Sequence, residues 1–260
     1  MSAGAILLSC PQFNALLADP LDGSGPCRLN ESRSLTDLKA SSVVMAARLM
    51  MAEMAEGGVK LTVRGNLPRK LVQALMDGVS WPGDLVEETR YLNKVFNEWD
   101  FGPAPYLHAI LKVAKLARLE RNVLKLTRKG RELLDGSKAG LLNAELFRTT
   151  FTRYNLGYLD GAGRDNFRPQ LPLILFLVGQ IATEWMTADE LMPSVTIPPD
   201  SVPEAYPMRA EMIFQLRILR YLCWFGLLES RIPAPPERRF KRESFRKAPL
   251  YDRVLNFYLP

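Results

Sequence analysis

The sequence predicts a mainly helical protein with small β hairpins, divided between two similar modules. Three observations indicate this fold class. Apolar residues recur at helical spacing over most of the chain, short strand-like alternations are followed by tight turns, and the second half repeats the order of the first. The chain has 260 residues, of which 47% are hydrophobic and 24% charged, and this is ordinary for a folded protein of about two domains.

The first half begins with a segment rich in turn-forming residues and then becomes helical. Residues 1–40 contain three prolines and several glycines, so they are interpreted as an irregular N-terminal arm. Ser41 or Ser42 is expected to cap the first helix. A short strand over residues 59–62 follows, and Pro68 is expected to be the first residue of the second helix.

A third helix and a hairpin complete the first module, which we assign to residues 41–138. The helix is expected to start near Tyr106, and strands on either side of a tight turn at Arg121 and Asn122 form the hairpin. Another helix follows Thr127. The order of helix, strand, helix, helix and hairpin is typical of a winged-helix module, a helix-turn-helix variant with an added β hairpin.

Three stretches carry a resemblance to a known family. They are GGVKLTVRGNLPRKLV from Gly57 to Val72, LKLTRKGRELL from Leu124 to Leu134, and FRTTFTRYNLGYLDG from Phe147 to Gly161. From about Ser41 onward the chain resembles a poorly characterised bacterial family, which includes a helical region attached to certain plasmid-encoded proteins. The resemblance implies tandem winged-helix modules, and it brings no known catalytic residues with it.

An internal repeat predicts that the second half has the same fold. Residues after the third helix of the first half match residues about 109 positions later, with Leu116 and Ala117 opposite Phe225 and Gly226. After an insertion, residues 127–134 match 248–255. We therefore expect a connecting helix and loop over 139–168 and a second winged-helix module with an enlarged wing over 169–260.

Three helices are expected in the second module before its wing. The first covers about 171–185, and the second covers 187–192, where Thr187 and Glu190 have the spacing of a capping box. The third helix is expected over about 207–225.

The net charge of +6 is unevenly distributed along the chain. Residues 101–160 carry a net charge of +6 and residues 231–260 carry +5, whereas the two remaining segments are slightly acidic. Both basic segments include a predicted wing. Since Lys and Arg at such positions hold phosphates in helix-turn-helix proteins, the pattern predicts binding to duplex DNA.

The predicted nucleic-acid contacts form two groups. The first group lies on the third helix and wing of the first module and comprises His108, Lys112, Lys115, Arg118, Lys125, Arg128, Lys129 and Arg131. The second group lies on a proline-stiffened arm of the second wing and comprises Arg238, Arg239, Lys241 and Arg242. An arm of this kind could follow a DNA backbone or enter a minor groove.

A protein-interaction or assembly subunit without nucleic-acid binding is the alternative prediction. Charge clusters on hairpins are often only solvated surface, and many winged helices bind proteins. The third helix of the second module is apolar on nearly every side between Phe214 and Phe225, so it is a poor reader of a DNA groove. We expect such a helix to be buried against the other module or against a second subunit, and the second alternative suggests a homodimer or a protein partner for the second module.

The residue inventory argues against an enzyme. His108 is the single histidine, and its predicted place beside Lys112 and Lys115 suits a phosphate contact better than acid–base catalysis. No metal site or cofactor motif is found, and Gly161 and Gly163 lack the remaining features of a dinucleotide site. Three widely spaced cysteines and the lack of a long apolar segment predict a cytoplasmic protein without a membrane partner.

Overall fold

The computed structural model describes residues 7–83, 85–158, 167–197, 209–233 and 242–260. Over these ranges the protein is mainly helical with three small antiparallel sheets, which confirms the predicted class of a mainly helical protein with small β elements. None of the helices within these ranges has the length and hydropathy needed to cross a bilayer. The chain forms two compact units. The first unit is residues 31–154, and the second unit is the described part of residues 1–30 and 155–260.

The described α-helices are α1 (Cys10–Leu17), α2 (Ser42–Ala55), α3 (Arg69–Gly78), α4 (Leu85–Leu92), α5 (Pro103–Val113), α6 (Arg128–Leu134), α7 (Ala139–Arg148), α8 (Leu171–Ile181), α9 (Ala188–Val195), α10 (Ala210–Phe214), α11 (Arg220–Trp224) and α12 (Tyr251–Val254). The described strands are β1 (Cys27–Leu29), β2 (Val59–Lys60), β3 (Ala117–Glu120), β4 (Val123–Leu126), β5 (Met186–Thr187), β6 (Leu228–Arg231), β7 (Ser244–Lys247) and β8 (Leu255–Phe257). Two π-helical segments, Thr149–Arg153 and Gln215–Leu219, extend α7 and connect α10 to α11.

The helix α2 is the centre of the first unit. Ser41 begins it as predicted, because its hydroxyl accepts a hydrogen bond from the Val44 amide at 3.4 Å. The apolar side chains of Val44, Ala47 and Met51 are fully buried. Around α2 pack α3, α5, α6, α7 and β4. The predicted succession of helix, strand, helix, helix and hairpin is present from α2 to β4, with α4 inserted before α5.

The hairpin of the first unit forms at the predicted turn. Glu120 pairs with Val123, so the loop consists of Arg121 and Asn122, whose φ angles are 47° and 62°. Two successive residues of positive φ define the type I′ turn that fits the twist of a two-residue hairpin. The central strand β4 pairs with β3 on one side and with β2 on the other.

The second unit repeats this order of elements. It contains α8, β5, α9, the α10–α11 helix, β6 and β7, and its sheet has the order β5, β7, β6. The corresponding sheet of the first unit has the order β2, β4, β3. The predicted capping box at Thr187 and Glu190 begins α9. In each unit, therefore, the last strand of the repeat lies in the middle of a three-stranded sheet.

The hydrogen bonds that follow the third helix correct the register of the internal repeat. In the first unit the amide of Lys115 donates to Lys112 and that of Leu116 donates to Leu111, both at 2.9 Å. In the second unit the amides of Gly226 and Leu227 donate to Cys223 and Leu222 at the same distance. Lys115 is thus equivalent to Gly226, an offset of 111 rather than the predicted 109.

The later half of the predicted repeat is correctly aligned. The amide of Thr127 donates to the carbonyl of Leu116 at 2.9 Å, and the amide of Ala248 donates to Leu227 at 2.9 Å. Thr127 and Ala248 are therefore equivalent, as the sequence match of 127–134 with 248–255 predicted.

The N-terminal segment is more regular than predicted. Ser9 and Gln12 form a capping box that begins α1, and Pro11 lies in the first helical turn, where a missing amide hydrogen does no harm. The strand β1 pairs antiparallel with β8, and α1 packs on α8, so the segment is part of the second unit. The arm predicted as irregular over residues 1–40 therefore contains a helix and a strand, α1 and β1.

The third helix of the second unit is buried, as its apolar composition indicated. Phe214, Ile218, Leu219 and Leu222 are fully buried within the chain. These apolar side chains are therefore covered within the chain itself, without a second subunit. The helix α7 packs on α2 and α6, so the first compact unit extends beyond the predicted module of 41–138 at both ends.

Gly130 provides a test of how tightly β4 joins α6. A Cβ atom at this position would lie 2.3 Å from the carbonyl oxygen of Leu116 and 2.7 Å from the Leu126 side chain. We expect Gly130→Ala to lower the free energy of unfolding by about 1–3 kcal/mol, because the backbone at Leu116 would have to shift to make room for the added methyl group. Urea denaturation followed by circular dichroism measures the change. Gly136→Ala is the matched control, since its Cβ would meet nothing within 4 Å. Equal stability of the two variants would contradict the prediction.

Candidate nucleic-acid interface

The end of α5 and the beginning of α6 are held together by hydrogen bonds. The hydroxyl of Thr127 donates to the carbonyls of Lys115 at 2.8 Å and Leu116 at 3.1 Å, and it accepts from the amide of Gly130 at 3.0 Å. The ammonium of Lys129 donates to the carbonyl of Ala114 at 3.3 Å. These bonds fix a corner of the first unit at which basic side chains gather.

Four basic residues define this basic corner: Lys112, Lys115, Arg128 and Arg131. All four are exposed, and none of them forms an ion pair with another residue in the described part of the chain. Arg128 and Arg131 are three positions apart on α6 and so lie on the same side of that helix. The corner therefore offers four exposed cations without ion pairs to solvent, although the charge of Arg128 also acts on Glu132, four positions later on α6.

Three further predicted contacts are paired with carboxylates. Arg118 and Lys125 lie 3.1 Å and 3.0 Å from Glu120, and hydrogen bonding by Lys125, with the charges of both cations, lowers the pKa of this exposed glutamate. Lys129 lies 2.9 Å from Glu145. The sequence showed Glu120 within the basic segment, but it gave no sign that α7 would bring Glu145 to Lys129.

Glu145 is a half-buried carboxylate between two cations. Burial by itself raises the pKa of Glu145, but hydrogen bonds and charge from Lys129 and Arg153 outweigh that effect and lower it. Arg153 lies 2.6 Å from the same oxygen that contacts Lys129. Glu145 thus links α6 to the π-helical segment after α7.

The position of His108 differs from the prediction. The side chain does not share the exposed face of Lys112 and Lys115, because it is only 8% exposed and its Nδ1 lies 2.8 Å from Glu98 Oε1. The other oxygen of Glu98 accepts a hydrogen bond from the Leu67 amide at 2.5 Å. His108 therefore connects α5 to the loop before α3, and we do not retain it among the candidate contacts.

Most of α5, the predicted third helix, is also covered. Tyr106, Leu107, Ile110 and Leu111 are fully buried. The hydroxyl of Tyr106 lies 2.7 Å from that of Thr150, which places the π-helical segment against this helix. Only the last turn of α5 is exposed, so the face expected to enter a major groove is not available along the helix.

The tip of the hairpin is braced by the loop before α3. The side-chain amide of Asn122 donates to the carbonyls of Leu61 and Thr62 at 3.1 Å and 3.2 Å. Arg121 at the tip and Arg64 in the braced loop are both exposed. Neither arginine is among the contacts predicted from the sequence, which gave no sign that β2 would pair with β4.

The second group of predicted contacts is only partly described. Arg238, Arg239 and Lys241 lie outside the described residues. Arg242 is described, and its guanidinium is paired with Asp189 on α9. Arg209 lies 3.6 Å from the same carboxylate. Arg242 is thus in an ion pair, whereas the four residues of the basic corner form none among the described residues.

Comparisons with known proteins support the predicted resemblance to a poorly characterised family. Residues 39–139 match the family described as the Y4jL N-terminal domain, and this range includes the entire basic corner. The chain is also similar to an uncharacterized protein y4jL from Sinorhizobium fredii (strain NBRC 101917 / NGR234). The two are 29% identical over 191 residues, which cover 71% of this chain and 84% of the relative. No solved structure matches the chain.

The lowered pKa of Glu145 predicts a pH-dependent contribution to stability. A carboxyl whose pKa is lower when folded stabilises the protein above its unfolded value, and this contribution is lost as the pH falls through the folded value. We expect Glu145→Gln to be less stable than the unmodified protein at pH 7, with the difference shrinking below the ordinary glutamate value of 4.5. Thermal unfolding over a pH series measures this. Glu53→Gln, an exposed glutamate on α2, is the control, and a difference independent of pH would contradict the assignment.

Proposed function

We propose that this chain is a non-enzymatic protein with two tandem winged-helix modules, which binds duplex DNA mainly through the phosphate backbone. The winged-helix part of the proposal is supported by the order of elements, since α2, β2, α3, α5, β3 and β4 in the first unit correspond to α8, β5, α9, α10–α11, β6 and β7 in the second. The strand order is the same in both sheets. A helix-turn-helix core with an added hairpin is a common DNA-binding arrangement.

The basic corner is the observation that carries the binding part of the proposal. Lys112, Lys115, Arg128 and Arg131 are exposed cations without ion pairs among the described residues. They lie at two helix ends that Thr127 joins by hydrogen bonds. Binding therefore costs little backbone conformational entropy at these residues. Each cation that neutralises a phosphate releases condensed counterions from DNA, which favours binding at low salt.

The burial of α5 supports a contact with phosphates and argues against extensive reading of bases. A helix that reads a major groove presents several side chains to the base edges, whereas α5 exposes only its last turn. Arg121 and Arg64 at the hairpin tip add positive charge on a braced loop. Phosphate contacts position a protein on a duplex without reading its sequence. We therefore propose binding with little sequence preference.

The backbone of Lys115 supports a functional reason for its charge. Its φ angle is 58°, a left-handed conformation that costs an ordinary residue about 1–2 kcal/mol. The equivalent position in the second unit is Gly226, with a φ angle of 71°, where no such cost arises. A lysine in place of the more stable glycine is understandable if the side chain has a role.

The non-enzymatic part of the proposal rests on the histidine. His108 and its partner Glu98 are both buried, with exposures of 8% and 3%. A general base must reach the substrate proton directly or through one water, and this pair is covered by the fold. We assign it to the positioning of the loop at Leu67.

Removal of two charges from the basic corner tests the proposed interface. We expect Lys112→Ala with Arg128→Ala to weaken binding to random-sequence duplex DNA and to lower the slope of log affinity against log salt by about 2, since each phosphate contact contributes about 0.9. Fluorescence anisotropy at several salt concentrations measures both quantities. The control variant, Lys39→Ala with Lys70→Ala, removes two exposed cations elsewhere in the first unit. An equal effect of the two variants would reject the assignment to this corner.

Lys115→Gly separates binding from stability. Glycine adopts a positive φ without strain, so we expect the melting temperature to rise or stay the same, while the affinity for duplex DNA falls because a cation is lost. Differential scanning calorimetry and the same anisotropy assay give the two results. Unchanged affinity in a well-folded Lys115→Gly protein would remove this residue from the interface.

A protein-interaction or assembly subunit is the second candidate function. The burial of α5 and of the α10–α11 helix argues against groove reading by either third helix, and a protein-interaction role does not require such reading. This function predicts no salt-sensitive affinity for DNA and a stable complex recovered by pull-down. A mobility shift of the purified chain on random duplexes at two salt concentrations distinguishes the two candidates.

A further inference from the structure

Four large apolar side chains within nine residues of the first unit are exposed. They belong to α4 and the residues just after it, with exposures of 90% for Tyr91, 75% for Leu92, 47% for Val95 and 53% for Trp99. We call these four residues the α4 patch. Single exposed apolar residues are common on soluble proteins, but four within nine residues indicate a surface that a partner covers.

The attachment of α4 explains why this side faces outward. Thr89 is only 5% exposed, and Arg90 holds the helix to α3 through an ion pair of 2.5 Å with Asp77. Residues four positions apart lie on the same side of a helix, so Tyr91 follows Glu87 and Leu92 follows Glu88 on the outward side. The exposed side of α4 therefore begins with acidic residues and ends with apolar ones.

A basic residue stands beyond the apolar part. Lys94 is exposed, and neither it nor Glu87 forms an ion pair in the described ranges of the chain. Along the chain the exposed residues therefore run from acidic Glu87 through apolar Tyr91 and Leu92 to basic Lys94, just after the helix ends. When two copies of such a segment are placed antiparallel about a two-fold axis, each acidic end meets the basic end of the other copy.

We propose that the α4 patch is the interface of a homodimer, with a second copy of this chain as its partner. A two-fold interface uses the same surface on both subunits and must therefore be self-complementary. The charge order of this segment meets that requirement, with the apolar side chains of the two copies packed at the centre.

The dimer is independent of the proposed DNA binding. It uses α4 and the residues after it, whereas the basic corner uses the ends of α5 and α6. Measurements in the absence of DNA therefore test it separately.

Sedimentation velocity of the full chain over a wide range of concentrations gives the first test. We expect a dimer that dissociates on dilution, and we expect Tyr91→Ser with Leu92→Ser to be monomeric at concentrations where the unmodified protein is dimeric. Val63→Ser is the control, since Val63 is 102% exposed on a different loop of the same unit. A chain that is monomeric at all concentrations overturns the proposal, as does a dimer that the double variant leaves intact.

Exchange of the charges at Glu87 and Lys94 gives a second test, whose expected result a misfolded variant could not produce. Glu87→Lys and Lys94→Glu each place like charges opposite one another at two symmetric contacts, so each is expected to raise the dissociation constant about tenfold, or about 1.4 kcal/mol. The variant with both changes restores the opposite pairs and is expected to dimerise like the unmodified protein. Failure of the double variant to recover dimerisation, although it is folded, overturns the antiparallel arrangement.

Discussion

The hydrogen bonds of Thr127 are the constraint on which the architecture of the first unit depends. Its amide and hydroxyl satisfy the carbonyls of Lys115 and Leu116, so one residue joins the end of α5, the strand β4 and the start of α6. The adjoining Gly130 lets α6 approach the Leu116 carbonyl. In the second unit Ala248 keeps the backbone bond to Leu227, although it has no hydroxyl. The shared backbone bond shows that the strand-to-helix corner is a property of the fold, whereas the extra hydroxyl bonds stiffen the corner that carries the cations.

Helix caps and tight turns were predicted well from the sequence, because each depends on residues only a few positions apart. The cap at Ser41, the turn at Arg121 and Asn122, and the capping box at Thr187 were all correct for this reason. The pairing of β1 with β8 was not predicted, because it joins segments at opposite ends of the chain. A short strand such as Cys27–Leu29 has no periodicity from which such a partner can be inferred.

The candidate site was predicted with less success, since a charge in the sequence says little about its neighbours in space. Lys129 belongs to the predicted basic segment, yet Glu145 neutralises it from another helix. His108 has the same helical spacing as two exposed lysines, yet it is buried against Glu98. The prediction assumed an ideal helix that other elements cover on one side only. In the structure, segments before and after α5 cover it on several sides. Exposure of a helix face depends on how many elements pack around it, and this is a tertiary property.

The pairing of β1 with β8 also determines the order in which the chain can complete its folding during synthesis. The first unit, residues 31–154, is continuous, so all of its contacts can form while the ribosome is still making the remainder. The partner of Cys27–Leu29 is Leu255–Phe257, which is synthesised more than two hundred residues later. Until then the early strand has an unsatisfied edge, which other chains could pair with. The second unit consequently cannot be completed until Leu255–Phe257 has been made and pairs with Cys27–Leu29.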